Sequence, residues 1–125
     1  MTINVPSYVD TIQEAINETV EVCHSDAVEA GWWGSLTFNT GEKLCLIHSE
    51  ISEAMEADRK GLMDDKLPNR TGMEVELADA VIRIFDLAGA MRMDLGGAIE
   101  EKLLYNRERE DHKPENRAKE GGKKY

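Results

Sequence analysis

The sequence predicts an all-α protein, folded as a four-helix-bundle-like protomer. Apolar residues recur every three or four positions along four stretches of the chain, which is the period of an amphipathic helix. No stretch shows the strict alternation of apolar and polar residues that is typical of a half-buried strand. At 125 residues, the chain has the length of a single domain with a core of its own.

The first predicted helix runs from about Ser7, a candidate N-cap, to about Ala30. Its apolar stripe is formed by Val9, Ile12, Ile16, Val20, Cys23 and Ala27. Glycines and aromatic residues interrupt the pattern over residues 31–41, GWWGSLTFNTG, and predict a loop. The second helix is expected from about Glu42 to Lys60, because Gly61 is a helix-ending residue.

The last two predicted helices are marked by capping residues. Thr71 and Glu74 stand at the spacing of a capping box, so the third helix is expected to begin there and to end near Met91. The fourth helix is predicted to be capped by Asp94 and to end at about Arg109.

The C-terminal residues differ from the helical part of the chain. Residues 111–125 are polar and show no apolar periodicity. We therefore expect a mobile tail over residues 111–125, after a single domain that spans residues 1–110.

Composition limits the function classes. The formal net charge is −10, whereas non-specific nucleic-acid binding requires a basic surface. No apolar run is long enough to cross a bilayer, and the opening residues, MTINVPSYVD, lack the features of a signal peptide. Two cysteines do not make a disulfide framework. These observations predict a cytoplasmic protein that binds neither nucleic acid nor a membrane.

Carboxylates on the second and third helices form the main candidate site. Within SEISEAMEAD, residues 49–58, the helical period places Glu50 and Glu53 at the border of the apolar face and Glu56 towards solvent. The third helix is apolar around most of its circumference, so it is expected to be buried. Its polar residues fall in one stripe, formed by Glu76, Asp79, Arg83 and Asp86.

Both acidic pairs, Glu50 with Glu53 and Glu76 with Asp79, have i,i+3 spacing, which places two carboxylates on one helix face. If the two helices pack antiparallel, the pairs face each other, and four carboxylates at close range need a counter-charge. Mg²⁺ or Mn²⁺ is the natural partner, because hard cations take oxygen ligands. The alternative is two solvated surface pairs, one of them partnered by Arg83.

The fourth helix carries complementary charge. A stripe that begins with Leu95 and Ile99 continues as Lys102, Asn106 and Arg109, so that a face predicted to be buried becomes cationic towards one end. Such a face suits phosphate oxygens. The alternative is a solvated helix end whose cations interact favourably with the helix dipole.

Two adjacent tryptophans, Trp32 and Trp33, lie in the predicted loop beside the candidate site. Either indole can stack on a nucleobase. The alternative is that they close the end of the bundle or form a contact between subunits.

The polar residues of the helices occur in an ordered combination that resembles one known family. The combination is Glu50-x-x-Glu53, then 22 residues, then Glu76-x-x-Asp79, followed by Lys102-x-x-x-Asn106-x-x-Arg109. It is similar to that of the MazG-like all-α nucleoside triphosphate pyrophosphohydrolases, and in particular to the short MazG-like proteins of bacteriophages. The resemblance covers most of the chain, from the tryptophan-containing loop to the GGKKY end.

The resemblance implies a homodimer or homotetramer of helical protomers, with the active site near the subunit interface. It implies hydrolysis of a nucleoside triphosphate between the α- and β-phosphates, giving the monophosphate and pyrophosphate. Some phage relatives adjust the deoxynucleotide pool, and one subgroup removes guanine nucleotides, which makes dGTP or GTP a candidate substrate. The residues implied to bind Mg²⁺ are Glu50, Glu53, Glu76 and Asp79, and those implied to contact phosphates are Lys102, Asn106 and Arg109.

In the expected mechanism, metal ions neutralise the triphosphate and activate a water that attacks the α-phosphorus. Glu53 is the candidate for orienting or deprotonating that water. Lys102 or Arg109 is expected to accompany the leaving pyrophosphate. Two further hypotheses stay open: a non-enzymatic helical module that binds nucleotide or metal as a regulatory ligand, and a purely structural helical oligomer.

Overall fold

The computed structural model describes residues 5–35 and 37–125, with the backbone alone for residues 5–10. These residues form α-helices and no strand, which confirms the prediction of an all-α fold. The helices are α1 (Val5–Glu29), α2 (Thr40–Lys60), α3 (Gly72–Ala90), α4 (Leu95–Glu108) and α5 (Pro114–Arg117), with a 3-10 turn over Glu110–His112. Among them, no helix is both long and apolar enough to cross a membrane.

Capping chemistry sets most of the helix ends. The Thr71 backbone N–H donates to Glu74 and the Glu74 N–H donates to the Thr71 hydroxyl, both at 3.1 Å, which is the predicted capping box at the start of α3. Gly61 ends α2 as predicted, with a left-handed φ of 62° that suits glycine. The unpredicted cap is Asn39, whose side chain accepts from Glu42 N at 3.1 Å, so that α2 begins at Thr40.

The predicted start of α1 was wrong. The helix begins at Val5, so Ser7 lies inside its first turn and is not the N-cap. Pro6 explains the difference, because its fixed φ fits the first turn of a helix and it needs no backbone N–H there. The Val9 side chain, assigned to the apolar stripe, lies outside the described side chains.

The described residues divide into two compact units, one formed by residues 5–17 with 94–125 and the other by residues 18–35 with 37–93. In the first unit, the Asp94 side chain accepts from Gly97 N at 2.8 Å, which caps α4 as predicted, and from Asn17 Nδ2 at 2.8 Å. The side-chain Oδ1 of Asn17 in turn accepts from Gly96 N at 2.8 Å. A Cβ at Gly96 would collide with the Gln13 carbonyl, so this approach of α4 to α1 requires glycine.

In the second unit, α2 packs against α3 through small buried residues, Ala54 and Ala57 on α2 and Ala80 on α3. Several larger apolar residues on both helices are 37–57% exposed: Leu44, Ile51 and Met55 on α2, and Leu77, Val81, Ile82 and Ile84 on α3. In the single chain, the prediction that α3 is buried was therefore wrong for these exposed residues, whereas Ala80, Leu87 and Ala88 are buried. The reason is that the neighbouring helices of this unit leave large parts of its apolar surface uncovered.

The C-terminal residues carry their own local structure. Asp111 binds Arg109, which lies just before residues 111–125, at 2.7 Å, and Lys123, which lies within them, at 3.0 Å. The Arg117 guanidinium donates to the backbone carbonyls of Lys123 and Lys124. The predicted mobility of this tail, the single domain over residues 1–110 and the four-helix-bundle arrangement stay predictions.

Candidate functional site

Three carboxylates from two helices meet in the second unit. Glu50 on α2 and Glu76 and Asp79 on α3 each offer an oxygen, and these oxygens all lie within 4.8 Å of one another. Glu50 is 9% exposed, and the other two are partly buried. The i,i+3 spacing on α3 places Glu76 and Asp79 on the face that meets Glu50. The structure thus brings three of the four predicted metal ligands together.

Arg83 supplies a counter-charge on one side of this cluster. Its Nε donates to Glu50 Oε1 at 2.8 Å. Burial favours the protonated acid, but the hydrogen bond from Arg83, with smaller contributions from Glu76, the Arg83 charge and Glu53, lowers the pKa of Glu50 overall. The alternative expectation, in which Arg83 partners an acidic pair, is therefore met at Glu50.

Glu76 is not neutralised in this way. Its Oε2 is buried and has no hydrogen-bond partner among the described residues. Burial, followed by hydrogen bonding to and repulsion by Glu50 and Glu53, raises the pKa of Glu76 to about 7. Burial and the Glu50 charge also raise the pKa of Asp79, although Arg83 opposes them. The cluster therefore holds more negative charge than its own cation balances.

Glu53, the fourth predicted ligand, stands apart from the other three. Glu53 is exposed, and its carboxylate is not part of the group whose oxygens lie within 4.8 Å of one another. It nevertheless lies close enough to Glu76 for hydrogen bonding and charge repulsion to contribute to the raised pKa of Glu76. Its assignments as a metal ligand and as the residue that activates water stay predictions.

A cavity of about 710 Å³ opens beside the carboxylates. Glu50 and Asp79 belong to its lining, so the acidic cluster forms part of its wall. The lining also includes two cations, Lys43 and Arg83, and apolar residues of α1, α2 and α3. Cavities of several hundred Å³ with apolar walls and a few polar groups are typical of small-molecule sites.

Both predicted tryptophans line this cavity, but their surroundings differ. Trp32 is 71% exposed. Trp33 is enclosed, because its ring meets Phe38 edge-on at 4.9 Å and His24 at 5.5 Å, and Lys43 Nζ lies 4.3 Å from the ring centroid. Of the two, Trp32 has the free indole surface that stacking on a planar ligand needs.

Asp86 and His24 complete the wall around Trp33. Asp86 Oδ1 accepts from Trp33 Nε1 at 2.8 Å and lies 2.9 Å from His24 Nδ1. Asp86 appeared in the sequence only as a member of the polar stripe on α3, and His24 was not a candidate. The signal that could have identified Asp86 is its spacing from Asp79 and Arg83, at i+7 and i+3, on the same face of the helix.

The three residues implied to contact phosphates, Lys102, Asn106 and Arg109, lie in the first unit. Lys102 is exposed, although the stripe to which it belongs was predicted to be buried. Its Nζ lies 4.6 Å from the Tyr105 ring centroid, and the Arg109 guanidinium lies 5.7 Å from the same ring. Asn106 Oδ1 is buried and has no hydrogen-bond partner in the described part of the chain. Their role in phosphate binding stays a prediction.

Comparison of the chain with protein-family models, curated proteins and solved structures finds no match.

Proposed function

We propose that this protein is a Mg²⁺-dependent MazG-like hydrolase that cleaves (deoxy)nucleoside triphosphates between the α- and β-phosphates, giving the monophosphate and pyrophosphate. One observation carries the proposal: Glu50 and Asp79, two of the three clustered carboxylates, line a cavity whose wall also contains tryptophans and cations. A site that combines metal ligands, an aromatic surface and positive charge suits a metal–triphosphate complex.

The donor set fits a hard divalent cation. All three oxygens are carboxylate oxygens, which Mg²⁺ prefers and which Mn²⁺ also accepts. The buried Glu76 Oε2 without a partner is the kind of atom that a cation would satisfy. Arg83 occupies Oε1 of Glu50 and leaves the second oxygen of that carboxylate for a ligand bond.

Each part of the chain has a role in the proposed reaction. When bound, Mg²⁺ neutralises the phosphates and lowers the pKa of a coordinated water. Glu53, which is exposed beside the cluster, orients or deprotonates the attacking water. Lys102, Asn106 and Arg109 contact the phosphate oxygens, and Lys102 accompanies the leaving pyrophosphate. Trp32 stacks on the base, whereas Trp33 is held inside the wall by its own contacts.

Association of copies of this chain forms part of the proposal. The exposed apolar residues of α2 and α3 provide a surface that a homodimer or homotetramer would bury. Acting in the cytoplasm, of the host if the chain is phage-encoded, such an enzyme would adjust a deoxynucleotide pool, with dGTP or GTP as one candidate substrate.

The test incubates the purified protein with each of the eight common ribo- and deoxyribonucleoside triphosphates, in Mg²⁺ and in EDTA. We expect pyrophosphate and monophosphate in equal amounts, and only in Mg²⁺. Release of inorganic phosphate with a diphosphate would contradict the proposed cleavage position. No turnover of any nucleotide would contradict the enzymatic function.

The second candidate is a non-enzymatic module that binds nucleotide or metal as a regulatory ligand. The ion pair between Arg83 and Glu50 favours it, because this pair already neutralises one of the three carboxylates without a metal. Saturable nucleotide binding without turnover in Mg²⁺ or Mn²⁺ would select this function.

A further inference from the structure

The cavity has two chemically different ends along α3. Asp79 belongs to the carboxylate cluster, and Asp86 belongs to the wall around Trp33. Seven residues separate them, which corresponds to about 10 Å along a helix axis. Arg83, which also lines the cavity, is positioned between them in the helix sequence. A ligand of about this length whose charged groups lie near Asp79 can therefore reach Asp86 with its other end.

At that second end, one carboxylate is held in a defined orientation. Asp86 has a side chain that is only 17% exposed. Trp33 Nε1 donates to its Oδ1, and because a carboxylate only accepts, His24 Nδ1 donates to the same oxygen. Asp86 Oδ2 takes part in no hydrogen bond among the described residues. An ordered carboxylate oxygen in a cavity wall is a strong acceptor for an N–H donor.

We propose that Asp86 is a specificity-determining residue that selects ligands with an amino-bearing nucleobase, by accepting a hydrogen bond from the amino group. Adenine, cytosine and guanine each carry an exocyclic amino group, whereas thymine and uracil present carbonyl oxygens instead. A carboxylate accepts a hydrogen bond from an exocyclic amino group, whereas it repels a carbonyl oxygen at the same position of the ring. This inference rests on the proposed nucleotide site, and it names the class of base that the site takes.

The wall around Asp86 explains why the oxygen stays in place. Trp33 is fixed by Phe38, His24 and Lys43, so its indole N–H is a rigid donor to Asp86. Rigid donors that occupy Oδ1 prevent the carboxylate from rotating, which leaves Oδ2 in one direction. The exposed indole of Trp32 lines the same cavity and provides a stacking surface for any base. Discrimination between bases therefore depends on the Asp86 carboxylate.

The test measures binding of nucleoside monophosphates in Mg²⁺ by equilibrium dialysis, because monophosphates contain no α–β bond that turnover could cleave. Cytosine and uracil form a matched pair that differs in the amino group, so dCMP is compared with dUMP. Similarly, dAMP and dGMP are compared with dIMP, whose base lacks an amino group. Whether the site binds purines or pyrimidines, we expect the amino-bearing ligand of that class to bind about tenfold more tightly than its partner without the amino group. This factor is the equivalent of one charge-assisted hydrogen bond.

Three variants assign the preference to one side chain. Asp86→Asn is expected to bring the affinity ratio of each pair towards one, whereas a purely structural loss would weaken all ligands equally. Glu29→Gln, which removes a carboxylate of α1 that does not line the cavity, should leave the ratios unchanged. Asp26→Asn tests the other carboxylate that lines this part of the wall.

Equal affinities in all three comparisons for the unchanged protein would overturn the inference, whether or not Asp86→Asn folds. A preference that persists in Asp86→Asn, or that disappears in Asp26→Asn instead, would overturn the assignment to Asp86. Because these measurements use no hydrolysis, they are independent of the triphosphate assay. Turnover without a base preference removes only this inference, and a base preference without turnover removes only the enzymatic function.

Discussion

Two charged regions of the molecule differ in how well their charges are balanced. One is the acidic cluster between α2 and α3, and the other is the group of charged residues around Arg109. Near Arg109 two acids have cations: Asp111 binds Arg109 and Lys123, and Glu110 binds Lys113 at 2.7 Å. In the cluster, an ion pair joins Arg83 to Glu50, and Glu76 Oε2 has no hydrogen-bond partner among the described residues. Opposite charges that lie close together balance each other, whereas like charges held close together favour protonation of one acid, which contributes after burial to the raised pKa of Glu76.

The largest effect is expected when the cluster loses a ligand. Asp79→Asn keeps the shape of the side chain but removes a charge from the proposed cation site, so turnover should fall more than about 100-fold. Glu53→Gln should have a similar effect. Pyrophosphate release at saturating Mg²⁺ measures the loss, and circular dichroism verifies that the helices survive.

The matched control for these variants is Glu56→Gln on the same helix. Glu56 is exposed and pairs with Lys60 at 2.9 Å, so its loss should leave turnover nearly unchanged. Full activity in Asp79→Asn would refute the assignment of Asp79 as a ligand.

A smaller effect is expected on the stability of the metal-free protein as pH changes. Glu76 has a folded-state pKa of about 7 against an ordinary value of 4.5, so the folded state binds its proton more tightly than the unfolded state. The stabilisation is complete below pH 4.5 and is lost as pH rises from 4.5 to about 7. Urea unfolding in EDTA across this window should show the decrease.

Glu76→Gln provides the comparison, because glutamine does not titrate. At each pH, the difference in the free energy of unfolding between the two proteins should isolate the contribution of Glu76. Mg²⁺ should restore the lost stability above pH 7 only when Glu76 is present. An identical pH dependence in both proteins would show that Glu76 does not carry the shift.

The smallest effect is expected in the region of balanced charges. Asp111→Asn breaks exposed ion pairs with Arg109 and Lys123, which contribute little because solvent already screens them. The midpoint of thermal unfolding should change only slightly, and by less in high salt. A shift as large as that of a core substitution would mean that the tail contributes to the stability of the fold.

Local chemistry made much of the fold predictable. Thr71 with Glu74, Asp94 and Gly61 act on groups only a few residues away, so their spacing identifies helix ends without knowledge of the tertiary structure. Ser7 was misassigned because Pro6 allows the helix to begin earlier. The all-α class followed from the same local periodicity.

The site was only partly predictable, because the remaining information is tertiary. Helical spacing placed Glu50 and Glu53 at the same border, yet Glu50 is buried against Arg83 and Glu53 is exposed, which depends on how α2 sits on α3. The contact between His24 and Asp86 joins residues 62 positions apart, and no short pattern encodes it.

That separation has a consequence for synthesis of the chain. His24 and Trp33 leave the ribosome long before Asp86, and Glu50 leaves before Glu76 and Asp79. Neither end of the cavity can therefore assemble until α3 has been made, and both then depend on the same helix. A truncated or half-translated chain would display isolated acids and an unanchored indole, without the carboxylate cluster or the hydrogen bond from Trp33 to Asp86.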